Sequence, residues 1–246
     1  MSNNSRSPNG KSLSSNYKNQ FISNMRGLLK YLKEEEKIDV YDYGLVKKFR
    51  EESKPVEVLS DEDVRVLLNS IKETCITKLR LKTLIICLLS TGSRISAMMS
   101  INKDDINWEN GTVSVIGKGR KINQMIFNEL SREYLKKYLD KRKDDCSALF
   151  ATSKGTRWSV NCVERAIREQ GIRAGIKKRV HCHIFRATSA SKMFFSGVPL
   201  PMVSKFLSHS DLATTQKFYL RGANFEEVQS YHNTLDYKNL MTEDNQ

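Results

Sequence analysis

Two imidazoles, two guanidiniums, a lysine and a phenol are spaced along this chain in a way that suits attack on a phosphodiester. His183-Ile184-Phe185-Arg186 is followed by Leu207-Ser208-His209 and then by Tyr219. Upstream stand Thr91-Gly92-Ser93-Arg94 and Gly117-Lys118-Gly119. Cleaving a phosphodiester without metal puts extra negative charge on the nonbridging oxygens. Arginine is the best protein donor for that charge, being planar, forked and always cationic. Arg94 and Arg186 are therefore candidates for a two-arginine clamp. The leaving 5′ oxygen needs a proton, which Lys118 on a turn can supply. His183 titrates in the range that lets it take the nucleophile's proton, and His209 can donate a hydrogen bond to a nonbridging oxygen. The Tyr219 phenol, with an ordinary pKa of about 10, needs such neighbours to become a nucleophile. Its phosphate ester would conserve the energy of the broken bond, so a 5′ hydroxyl could reseal the strand without ATP. Each residue alone has a plainer reading: a solvated arginine, an exposed turn lysine, a capping histidine, a packing tyrosine. Order and spacing give the set its meaning.

The elements that must position these groups are mostly helical. Phe21, Met25, Leu28, Leu29 and Leu32 recur at helical spacing and predict a helix over 17–35, with Lys18, Arg26 and Lys30 between them. A second short helix is expected over 43–52. Ser53-Lys54-Pro55-Val56 reads as a linker, since proline disfavours helix in the residue before it. Ser60 then caps a helix whose first turn holds Asp61, Glu62 and Asp63. An apolar helix over 79–89 ends at Ser90-Thr91-Gly92 and delivers Arg94 onto the next helix. Residues 112–116 and 122–127 alternate and are β-rich, and Gly117-Lys118-Gly119-Arg120-Lys121 forms the turn of a hairpin. Further helices are expected over 130–143, 160–171, 185–195, 201–207, 212–218 and 225–232. The fold class is mainly α with one small antiparallel sheet. No internal repeat is visible.

Composition narrows the partner. The 246 residues carry 41 Lys+Arg against 28 Asp+Glu, a formal charge of +13, which points to a polyanion such as nucleic acid. The five cysteines, Cys75, Cys87, Cys146, Cys162 and Cys182, form no CxxC pair and fit free thiols in a reducing compartment. Cys87 lies in an apolar run and is expected in the core. His181-Cys182-His183 is no zinc site if alternating residues of a strand point to opposite faces, and no second ligand pair follows. No metal and no cofactor are implied: there is no Walker-type loop and no carboxylate cluster for magnesium. The longest apolar run, 84–89, is too short to span a bilayer, and the N-terminus has no apolar signal core. A cytoplasmic, nucleoid-associated protein is expected.

The spacing of these boxes resembles the tyrosine recombinase (phage integrase) family, with a Xer-like catalytic domain, over residues 56–232. Thr91-Gly92-Ser93-Arg94-Ile95-Ser96 is similar to the first family box and Val115-Ile116-Gly117-Lys118-Gly119 to the hairpin lysine. His183-Ile184-Phe185-Arg186-Ala187-Thr188 resembles the second box, and Phe206-Leu207-Ser208-His209 through Gln216 the third. The resemblance implies site-specific recombination through a 3′-phosphotyrosyl intermediate and a four-way junction. Arg94, Lys118, His183, Arg186 and His209 would carry the roles above. It also implies double-stranded DNA as partner, a dimer on one site, a tetramer in synapsis, and exchange of a C-terminal helix between subunits. A type IB topoisomerase-like enzyme would share the chemistry while acting singly.

Several positions depart from the family pattern. Ala97 stands where an acid is frequent, Ala187 where histidine is, and Ser208 where glycine is. The family tyrosine usually lies nine residues after the third-box histidine, which here is Phe218; Tyr219 is one residue later, about 100° further around a helix. Either Tyr219 is the nucleophile through a local irregularity, or Phe218 replaces a tyrosine and the chain binds DNA without cleaving it. The expected organisation is a polar, disordered 1–15, a partial helical DNA-binding segment and linker over 16–55, a catalytic domain over 56–232, and a tail over 233–246. Lys18, Arg26 and Lys30 in the first helix, and Arg120 and Lys121 in the hairpin turn, are candidate phosphate contacts. The helical segment is about half of the family's usual core-binding domain, so the chain is either naturally short or begins mid-domain.

Overall fold

The computed structural model describes residues 13–50, 56–116 and 122–208. The chain divides into two compact units, Met1–Lys54 and Pro55–Gln246.

In the first unit, helix α1 (Ser15–Glu34) starts where the Ser14 hydroxyl accepts the Tyr17 N–H. Its packed face is mixed, with Asn19, Ser23 and Arg26 beside Ile22, Leu29 and Leu32. Asn19 is buried and clamps the backbone of Phe49 through Nδ2 and Oδ1 at 2.9 and 2.7 Å. Of the expected apolar stripe, Leu29 and Leu32 are half-buried, while Phe21 at 62%, Leu28 at 53% and Met25 are exposed. The helix expected over 43–52 is replaced by a single 3-10 turn, Tyr43–Leu45, and residues 46–50 are not helical. Asp42 accepts the Gly44 N–H at 2.8 Å, a local side-chain turn that competes with helix at a residue of poor helix propensity.

The second unit is built around α3 (Ile76–Thr91). Leu79, Leu81, Leu84, Ile85, Cys87 and Leu88 are all buried, so the helix is apolar on every side and belongs in the centre. It packs against α5 (Glu129–Asp140) and α7 (Cys182–Phe195). Helix α2 (Asp61–Ser70) begins with the expected cap. Ser60 accepts the Asp63 N–H and Asp63 accepts the Ser60 N–H, reciprocally satisfying two otherwise orphan donors. Helices α4 (Ile95–Ser100), α6 (Val160–Arg173) and α8 (Leu200–Phe206) complete the helical set among the described residues.

The sheet has order β1-β2-β3, all antiparallel: β1 (Ile106–Asn107), β2 (Thr112–Ile116) and β3 (Ile122–Ile126). Val113 pairs with Met125 and Ile116 with Ile122. Val113, Val115 and Met125 face the core while Ser114 and Ile116 face outward, the period of two expected of a half-buried strand. The two-residue β1 is too short to show alternation in the sequence.

Candidate active site

Arg94 is placed by the end of α3. The Thr91 hydroxyl donates to the Cys87 carbonyl at 2.8 Å and accepts the Ser93 N–H. Gly92 ends the helix in the left-handed region at φ 55°, where glycine alone avoids a Cβ penalty. A Cβ there would also lie 2.5 Å from the Phe206 ring. Arg94 follows at the N-cap of α4, where its carbonyl accepts the Met98 N–H at 3.0 Å; it is exposed, and its side chain makes no hydrogen bond or ion pair among the described residues.

Arg186 lies on α7 and is 8% exposed. Its Nη1 donates to the Gly92 carbonyl at 2.7 Å and its Nη2 to the Leu207 carbonyl at 2.6 Å. One guanidinium thus ties the turn before Arg94 to the end of α8. Ser189, one turn along α7, adds a hydrogen bond to the Leu89 carbonyl at 2.6 Å.

Both arginines line two cavities. One, of about 520 Å³, is walled by Arg94, Arg186, His183 and His181, with Glu57 and Ala187. The other, of about 370 Å³, is walled by Arg94 and Arg186 with Ser96, Ala97, Ser208 and the strand residues Val115, Ile116 and Asn123. Ala97 and Ala187, two of the departures from the family pattern, therefore each widen one of the cavities.

The segment 181–183 differs from its expected form. It is not a strand: α7 begins at Cys182, three residues before the expected start, and His181 takes the N-cap position. His181 and His183 consequently line the same cavity rather than opposite faces. The intervening Cys182 is buried, and burial pushes its thiol up to about 12. His181 holds the N-cap position of α7 without a side-chain cap bond. The His183 ring keeps an exposed edge, yet desolvation of the rest lowers its pKa, and the charges of Arg186, His181 and Arg94 lower it further. An imidazole held neutral in this way is ready to accept a proton.

The other candidate residues are distributed as follows. Arg26 donates Nε to the Tyr43 carbonyl at 2.8 Å and Nη2 to the Gly44 carbonyl at 3.1 Å, so the structure gives it a bracing use within its own unit. Lys18 sits 5.1 Å from the Phe49 ring centroid, and Lys30 lies 3.7 Å from Glu34. Lys118, Arg120, Lys121, His209, Phe218 and Tyr219 lie outside the described residues, as do the helices expected over 212–218 and 225–232 and the tail over 233–246. Ser208 is described and adopts φ 50°, a conformation that explains why glycine suits this position. Among the described residues no group of three or more His, Cys, Asp or Glu could hold a metal ion, and no helix is long and apolar enough to cross a membrane.

A helical unit with a small antiparallel sheet thus brings two arginines and two histidines to the wall of one cavity. The phage integrase family model matches residues 57–224, and the chain belongs to that family. The chain is 29% identical over 192 residues to tyrosine recombinase XerD of Oceanobacillus iheyensis, a match covering 74% of this chain and 64% of the relative. It is 24% identical over 236 residues to tyrosine recombinase XerC of Lactobacillus delbrueckii subsp. bulgaricus, covering 93% and 78%. The chain thus spans just under two thirds of the XerD relative's length. Among solved structures, XerH site-specific recombinase bound to palindromic difH substrate superposes with a TM-score of 0.73 at 20% identity, covering 92% of this chain and 68% of that one. The Tn1549 transposon integrase in complex with a circular intermediate DNA gives 0.74 at 15% identity, covering 92% and 81%. The expected fold class, mainly α with a small antiparallel sheet, is the one these structures share.

Proposed function

We propose that this chain is a site-specific DNA recombinase of the tyrosine type. The observation that carries the reading is that Arg94, His183 and Arg186 wall one cavity although they come from elements far apart in the chain, the start of α4 and the first turns of α7. The scissile phosphate sits between the two guanidiniums, which match its planar pairs of oxygens and neutralise the charge that builds in the transition state. The tyrosine oxygen forms a bond to phosphorus and the bond from phosphorus to the 5′ oxygen breaks. His183 takes the phenolic proton, Lys118 gives a proton to the leaving 5′ oxygen, and His209 supports a nonbridging oxygen. The reverse attack by a 5′ hydroxyl reseals the strand. The strands β2 and β3, which bracket Lys118 in sequence, contribute Ile116 and Asn123 to the wall beside Arg94, which supports its assignment. The phosphate-contact roles of Lys18, Lys30, Arg120 and Lys121 rest on their charge and sequence position. Two chains bind one site, four assemble in synapsis, and the C-terminal segment docks on a neighbouring subunit. Residence on the nucleoid follows from the DNA partner.

The nucleophile is Tyr219, with a cleavage-dead chain as the second reading, because Phe218 holds the family spacing from His209. A nicked suicide substrate, mixed with this chain, with Tyr219→Phe and with Phe218→Tyr and resolved on a denaturing gel, separates them. An adduct with the given chain that disappears in Tyr219→Phe establishes Tyr219. An adduct seen only with Phe218→Tyr makes this chain a DNA-binding form without cleavage.

A further inference from the structure

His181 lines a second, separate depression as well as the arginine cavity. This pocket, of about 410 Å³, is walled by Asn161, Glu164, Arg165 and Arg168 of α6 together with Arg179 and His181 from the segment leading into α7. Positions 161, 164, 165 and 168 share one face of a helix. The approach of the second segment depends on Gly171: a Cβ there would lie 2.6 Å from Cβ of the buried Val180. With no side chain at 171, Val180 packs against α6 and carries Arg179 and His181 to the arginines.

The charge in this pocket is unbalanced. Three guanidiniums and an imidazole face one carboxylate, and Glu164 forms no ion pair with either helix arginine among the described residues. The same helix pairs Arg173 with Glu169 at 3.6 Å, whereas Glu164 and Arg168, at the same spacing, form no ion pair among the described residues. Arg168 and Arg179 are exposed and their side chains make no hydrogen bond among the described residues. His181 is oriented by its own backbone: Nδ1 lies 3.0 Å from the Arg179 carbonyl. A carbonyl only accepts, so Nδ1 donates to it, and Nε2 is the free edge, which donates to a phosphate oxygen when the ring is in its imidazolium form.

We propose that this pocket holds a second backbone phosphate of the duplex whose scissile phosphate lies between Arg94 and Arg186, with His181 standing between the two. The inference rests on the proposed recombinase function and adds a subsite that registers the duplex on the cleavage centre. Phosphate contacts fix register without reading sequence, and positioning of this kind governs whether the nucleophile meets its target in line.

The test compares the full chain with Arg168→Gln/Arg179→Gln and with Arg173→Gln, a charge loss on the same helix outside the pocket. Affinity for two short duplexes of unrelated sequence is measured between about 50 and 200 mM NaCl, since each lost phosphate contact flattens the plot of log affinity against log salt by about 0.9. The expected result is a slope shallower by about 1 for the double variant on both duplexes, with Arg173→Gln unchanged. An unchanged slope in the double variant, with the full chain still binding DNA, overturns the subsite and leaves the recombinase reading intact. A loss confined to one duplex also overturns it, making the pocket a reader of bases. No DNA binding by the full chain overturns both.

Discussion

Arg186 Nη1 donates to the carbonyl of Gly92 at 2.7 Å across 94 positions of sequence. The bond makes a proposed catalytic side chain also the brace of the turn that aims Arg94. Arg186→Ala is therefore expected to do two things. It removes the clamp, abolishing covalent adduct while DNA binding persists, and it strands two buried carbonyls, costing about 1–3 kcal/mol of stability. Adduct at the level of the unsubstituted chain would sink the assignment of Arg186.

Gly92→Ala should disturb the same relationship from the other side. A Cβ at φ 55° meets Phe206 at 2.5 Å. The conformational cost alone is about 1–2 kcal/mol, and the ring must move as well. Denaturant titration should show a fall of at least that size. Phe206→Leu in the Gly92→Ala background should recover only the steric part.

Ser208 sits at φ 50°, so Ser208→Gly is expected to relieve backbone strain and stabilise the chain by about 1 kcal/mol, as a rise in the denaturation midpoint at unchanged m-value. A loss of stability would mean that the serine side chain contributes more than its backbone costs.

The pKa of His183 is held below its ordinary 6.5, first by desolvation and then by Arg186, His181 and Arg94. The folded state therefore resists protonation. Stability from this group is complete above pH 6.5 and declines as pH falls from there toward the folded value. The rate of adduct formation should stay flat from pH 8 to below 6.5 before its acid limb, and His183→Gln should remove that limb along with most of the rate. A limb centred at or above 6.5 would contradict the assignment of His183 as the base. The assay presupposes a chain with a competent nucleophile, so it is run on whichever of the given chain and Phe218→Tyr forms adduct.

Away from the site, Glu73 gathers Lys82 at 2.9 Å, Lys137 at 2.5 Å and the Tyr134 hydroxyl at 3.2 Å. Hydrogen bonds from Lys137 and Lys82 lower its carboxyl from 4.5 to about 2. Because the folded pKa is depressed, this stabilisation is present above pH 4.5 and is lost as pH falls toward 2. Glu73→Gln should cost about 1 kcal/mol at pH 7, after allowance for the solvent that screens the half-exposed Lys137. The difference between the two proteins should shrink as pH falls from 4.5 toward 2, as read by urea titration at pH 7, pH 3 and pH 2.

Local chemistry made much of this chain legible in its sequence. Ser60 and Asp63 announce the start of α2, Gly92 the end of α3, and alternating apolar residues the β2–β3 hairpin, because a cap, a left-handed residue and a period of two are each decided within a few positions. The order of the boxes likewise marks Arg94, His183 and Arg186. Long-range packing decided the rest. No local pattern tells that Arg186 forks onto the carbonyls of Gly92 and Leu207, or that Asn19 and Arg26 join Leu29 and Leu32 on the packed face of α1 while Phe21 and Leu28 stay exposed. Nor does alternation along 181–183 reveal that both imidazoles enter one cavity. That follows from α7 starting at Cys182 and from Val180 seating against Gly171. Sequence fixes what a segment prefers by itself; which side chains share a cavity depends on how helices distant in the chain pack, and burial in this fold set that by steric fit.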